Sequence, residues 1–142
     1  MLPNYSLLWP EGLFSVGTSP ALFHDLRADF GDHTTGQGNM RLVNGNRNPD
    51  VVVWTTGVDV TPDTYYDFSA WAASVHPRSP LSLAFSINGV LLDAPFVQPS
   101  TTALWQQFAA GWYSGLNTIA VLSLVNQNTA WNGNDCALAT SP

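Results

Sequence analysis

The groups in this chain that could do chemistry are oxygen, amide and ring groups. Glu11 is the one glutamate among ten acids, there are three histidines, and Cys136 is the single cysteine. Two stretches concentrate what remains. The first runs Asp32-His33-Thr34-Thr35-Gly36-Gln37-Gly38-Asn39, and the second runs from Asn126 to Asp135 around Trp131. Calcium takes about six to eight oxygens from carboxylates, amides, hydroxyls and backbone carbonyls. Asp32, Thr35 and Asn39, joined by Asp135 and by carbonyls of the glycine-rich turn, form the candidate metal set, with Ca2+ as a structural ion. The same side chains can equally cap their own backbone as turn residues. The three histidines, His24, His33 and His76, have no spacing that groups them as a zinc triad.

The rings suggest a second chemistry. A pyranose has an apolar C–H face and hydroxyls around its edge, so recognising it takes a flat aromatic surface with amide or carboxylate groups beside it. Trp131, set among Asn128, Asn132 and Asn134, is the leading candidate for such a platform, with Trp71 as the second. Packing is the competing role for every tryptophan here, because large aromatics dominate the burial of small β cores. Catalysis has little to stand on. Glycoside hydrolysis needs two facing carboxyls, one of raised pKa, and no such pair is marked. No nucleophile elbow, phosphate loop or metalloprotease motif occurs. The expectation is a chain that binds without catalysing.

These groups must be positioned by strands. Helical periodicity is absent, and short runs rich in Val, Ile, Thr and aromatics alternate with Gly, Pro, Asn and Ser. Between Val51 and Val60, alternation puts Val52, Trp54, Val58 and Val60 on one face. Tyr66, Phe68 and Ala70 then share a face opposite Asp67 and Ser69, so Trp71 points away from the Tyr66 side. Leu81, Leu83, Phe85 and Ile87 lead into Asn88-Gly89, the strongest hairpin signal in the chain. Two further strands are expected over 105–112 and 118–125, and a short one around Cys136-Ala137-Leu138. Trp54 and Trp112 fall on core faces, and Cys136 reads as a small buried hydrophobe. Residues 1–40 are broken by Gly12, Gly17, Pro20, Gly31, Gly36 and Gly38, with at most one helical turn near Ala21–Leu26. The expectation is all-β: a jelly-roll β-sandwich of about eight antiparallel strands in a single domain over 1–142. Its N-terminal segment, 1–40, is mostly irregular, and its sandwich strands lie in 41–139.

Composition narrows the partners. The chain has 142 residues, 45% apolar, 12% aromatic and 10% charged, with a formal charge of −6. With four Arg and no Lys it lacks the cationic footprint of a nucleic-acid binder. No run approaches the roughly 20 apolar residues that cross a bilayer as a helix. One cysteine excludes a disulfide within the chain.

The order of several short motifs resembles a known group. These are Gly31-Asp32-His33-Thr34-Thr35-Gly36-Gln37-Gly38-Asn39-Met40, Leu42-Val43-Asn44-Gly45, Val58-Asp59-Val60-Thr61-Pro62, and Tyr66-Asp67-Phe68-Ser69-Ala70-Trp71. Phe85-Ser86-Ile87-Asn88-Gly89, Trp105-Gln106-Gln107-Phe108 and Gly133-Asn134-Asp135-Cys136-Ala137-Leu138 complete the series. Together they resemble the galactose-binding-like jelly-roll domains of secreted bacterial surface proteins, including those with a PEP-CTERM sorting tail. The resemblance implies a secreted or cell-surface, non-catalytic sandwich similar in shape to carbohydrate-binding modules. It also implies a structural calcium held by acids on the two end strands. The motifs usual for those end strands have no counterpart before Glu11 or after Leu138, so an unpaired sheet edge is expected. Two functions follow. One is recognition of glycan or matrix polysaccharide. The other is a structural role in a surface layer or fibre, pairing strands with a neighbouring protein or a second copy as a homo-oligomer.

Overall fold

A computed structural model of the chain describes residues 11–78, 80–130 and 134–139. The strands are β1 (Phe14–Gly17), β2 (Met40–Val43), β3 (Val51–Asp59), β4 (Tyr65–Ser74) and β5 (Ser82–Ile87). They continue with β6 (Val90–Val97), β7 (Gln106–Tyr113), β8 (Ile119–Asn126) and β9 (Cys136–Ala139). They form two antiparallel sheets, one of five strands in the order β1-β2-β9-β4-β7 and one of four in the order β3-β8-β5-β6. The architecture is an all-β jelly-roll sandwich, with nine described strands where about eight were expected.

Alternation explains most of the strands. In β4, Tyr66, Phe68 and Ala70 face the other sheet while Tyr65, Asp67 and Ser69 are exposed. At the β5–β6 hairpin Asn88 and Gly89 both adopt positive φ, 50° and 81°, as the primed turn demands. In β3 the expected face is interrupted. The register against β8 shifts between Val52 and Trp54, so Val53 is the extra residue of a β-bulge. Val53 and Trp54 therefore both pack on the core, and Val52 turns out to solvent.

The main core lies between the sheets, with Leu83, Phe85, Ile87, Phe108, Leu122, Leu124 and Leu138 at its centre. Trp112 packs against it, as does Trp54. Cys136 is buried there too, and burial pushes its thiol well above the usual range, leaving a small inert hydrophobe.

Residues 11–40 are more ordered than their composition implies. They contain β1, a 3-10 turn at Pro20–Leu22 capped by the Ser19 side chain, and the first residue of β2. Met40, Leu42 and Ala137 project from the outer face of the five-stranded sheet. There they bury Phe23 and Val75, with Phe30 and Trp105 against them, as a second core. Segment 18–39 is thereby fastened against that outer face through Phe23 and Phe30.

Candidate functional site

The glycine-rich loop is closed by one carboxylate. Asp32 Oδ2 accepts the backbone N–H groups of Thr34 and Thr35, both at 3.0 Å, and Oδ1 accepts Thr35 Oγ1 at 2.8 Å and the Gly38 N–H at 2.6 Å. Gly31 permits the closure, because a Cβ at that position would collide with the Gly36 carbonyl. Burial pushes the Asp32 carboxyl up. The bonds from Thr35, Gly38 and Thr34 outweigh burial and hold it well below the usual carboxylate range. Because the folded value is depressed, the stabilisation is complete above the unfolded value of about 4 and drains away as pH falls below it. Acid titration of the melting temperature checks this: wild type is expected to lose stability below about pH 4, and Asp32→Asn to flatten that part of the curve.

Asp135 has different partners. Its Oδ2 accepts Arg27 Nη2 at 2.7 Å and Nε at 3.1 Å, and its Oδ1 accepts the Gly45 N–H at 3.0 Å. A calcium site built on Asp32, Thr35, Asn39 and Asp135 requires both carboxylates to offer oxygens to one ion. Here one is filled by its own loop's donors and the other by a guanidinium. These residues do not fit the ion. Among the described residues no group of three or more His, Cys, Asp or Glu is placed to hold a metal.

The structure gives the described asparagines of the expected platform partners within the protein. Trp131 and Asn132 lie outside the described residues. Asn134 is buried, and its amide donates to the carbonyls of Asn46 at 3.1 Å and Asn128 at 2.9 Å. Buried Asn126 donates to the same two carbonyls, at 3.0 and 2.8 Å. Asn128 donates to the Pro80 carbonyl at 2.6 Å and accepts from the Ala130 N–H. Asn128 and Asn134 thus tie three connections together from inside instead of presenting amides to a ligand.

Trp71 does leave the outer face of β4, as alternation requires, but its ring is covered. The His33 imidazole stacks on it with centroids 3.7 Å apart and planes inclined by 20°. His33 is positioned by the Asp32 loop, and Trp105 Nε1 donates to the Gly31 carbonyl at 3.1 Å to hold that loop in place.

The open surface lies beside it. Register across β4 and β7 sets Tyr65 opposite Tyr113, Asp67 opposite Gly111, Ser69 opposite Ala109 and Trp71 opposite Gln107. Tyr65 is 81% exposed and its ring lies 4.7 Å from that of Tyr113. Tyr113 donates its hydroxyl to Asp63 at 3.0 Å, which raises its pKa and fixes the ring. Gln107 donates to Ser69 Oγ at 3.2 Å. The result is an aromatic pair at one end, a strip of carboxylate, hydroxyl and amide groups, and a floor at Ala109 and Gly111 that carries almost no bulk. Sequence reasoning passed over Tyr65 and Tyr113, although Tyr65 has the same parity as Asp67 and Ser69.

The fold is a jelly-roll β-sandwich shared with solved sugar-binding structures. The C-terminal domain of EclA, a sugar-binding protein, is similar to it with a TM-score of 0.59 and 19% identity, covering 87% of this chain and 86% of that one. A CBM4 structure is similar with a TM-score of 0.50 and 10% identity, covering 88% and 81%. No family model and no curated protein matches the chain in sequence.

Proposed function

We propose that this chain is a non-catalytic carbohydrate-binding module, acting outside the cell or on its surface and taking polysaccharide across the outer face of β4 and β7. The observation that carries the reading is the exposed Tyr65–Tyr113 pair continuous with Asp67, Ser69 and Gln107. The rings offer a face to sugar C–H groups, and the polar strip offers both donors and acceptors to hydroxyls. The sugar-binding name of the EclA domain and the CBM4 likeness support the same reading. Affinity electrophoresis through gels containing xylan, mixed-linkage glucan, mannan or pectin tests the proposal. Retardation by at least one is expected, and free migration through all of them overturns it.

A second reading is an assembly subunit. It is favoured by the four-stranded sheet, whose exposed Val52, Leu91, Val97, Ile119 and Val121 leave an apolar surface. A subunit that stacks through it would elute from size-exclusion chromatography as a dimer or larger, and a clean monomer removes this alternative.

A further inference from the structure

Among the described residues the five-stranded sheet is incomplete beyond the end of β9. β9 pairs with β4 only over Trp71–Ser74, so Tyr65–Ala70 have β7 on one side and no strand on the other among the described residues. A cavity of about 240 Å3 opens at this place. Its floor is Trp54, Ala70 and Leu124, and its rim carries Thr34, Asn39 and Arg41.

Arg41 distinguishes this cavity. Arg27 is paired with Asp135 and Arg47 with Glu11. The Arg41 guanidinium instead lies 4.0 Å from the centre of the Phe14 ring, and among the described residues no carboxylate pairs with it. A guanidinium stacked on a ring keeps its in-plane N–H donors, which form a fork suited to a carboxylate. Asp32 also lines the cavity, but four donors of its own loop already surround its oxygens. An unmatched cation, two neutral polar side chains and an indole therefore converge on a space large enough for one sugar ring.

The ligand has to complement all three. It needs a planar anion for Arg41, hydroxyls for Thr34 and Asn39, and an apolar ring face for Trp54. We propose that this cavity is a binding subsite, separate from the β4–β7 face, that takes a single hexuronate as the acidic end or side group of a polysaccharide. A pyranose bearing a carboxylate combines the three features in one residue, whereas a neutral hexose leaves the Arg41 fork unanswered.

Calorimetric titration of the full chain with sodium D-glucuronate and with D-glucose tests the assignment. Glucuronate is expected to bind roughly tenfold or more tightly, the increment of a charge-assisted hydrogen-bonded pair. Arg41→Gln should erase that preference with an unchanged circular-dichroism melt, and Arg41→Lys, which keeps charge without the fork, should retain part of it. Should Arg41→Gln fail to fold, Asn39→Ala, on the exposed rim, is expected to weaken glucuronate binding severalfold. Equal affinity for the two sugars, no binding of either, or folded Arg41→Gln and Asn39→Ala proteins that bind glucuronate like wild type would each overturn the proposal. Tyr65→Ala should leave glucuronate binding intact, so failure of the polysaccharide face and failure of this subsite register separately.

Discussion

Replacing Tyr65 and Tyr113 together by alanine is expected to abolish polysaccharide retardation while leaving the melting temperature within about a degree of wild type. The separation follows from where the rings sit. Tyr65 is 81% and Tyr113 46% exposed, so little folding energy rests on them. A sugar ring stacked on either would bury apolar area at about 25 cal/mol per Å2 and add a geometry-dependent increment of about 1 kcal/mol. Each ring is thus worth roughly tenfold in affinity, and the two together roughly a hundredfold. Tyr65→Phe should bind nearly as wild type, because the ring face rather than the hydroxyl is the recognising element. Trp112→Ala provides the contrast: that ring packs against the central core, so its loss should appear as lowered stability first. Full retardation of the double alanine variant would remove the β4–β7 face from the account.

The largest effect on stability is expected at Arg27. The Arg27–Asp135 pair is nearly enclosed, with side chains 6% and 15% exposed, and Asp135 also accepts the Gly45 N–H. Removing one partner of such a pair leaves a charge with no water to replace what it lost, and costs about 3–5 kcal/mol. That is a large part of the roughly 5–15 kcal/mol by which a domain is stable. Arg27→Met should therefore shift the urea midpoint strongly to lower concentration. Arg27→Met combined with Asp135→Leu removes both charges and should be milder than the sum of the single changes. Additive single effects would show that the pair contributes nothing as a pair.

The sandwich was legible because its strands alternate cleanly. Tyr66, Phe68 and Ala70 against Asp67 and Ser69, and Leu83, Phe85 and Ile87 ahead of Asn88-Gly89, state their faces in the order of their side chains. The Val53 bulge was not legible, since an extra residue in one strand is defined only by the partner β8 that it opposes. The candidate site was read in part. Trp71 was placed on the correct face, but its imidazole cover comes from His33, distant in sequence. The asparagines around Trp131 looked like sugar ligands because type and proximity are visible in a sequence, whereas burial is not. Asn128 and Asn134 instead answer carbonyls inside the molecule. Asp32 behaved as the turn cap that its short polar side chain allows. The Tyr65–Tyr113 pairing depends on the β4–β7 register.

The position of β9 has consequences for biogenesis. Cys136–Ala139 follows every other described strand in sequence, yet it occupies the middle of the five-stranded sheet, with β2 on one side and β4 on the other. On a ribosome, the two flanking halves emerge early and must wait, open-seamed, until this short piece is delivered between them. Closure of the sheet therefore waits until Cys136–Ala139 has left the tunnel. Nascent chains stalled before residue 136 should occupy chaperones and be cut readily by protease, while the full chain released from the ribosome should resist.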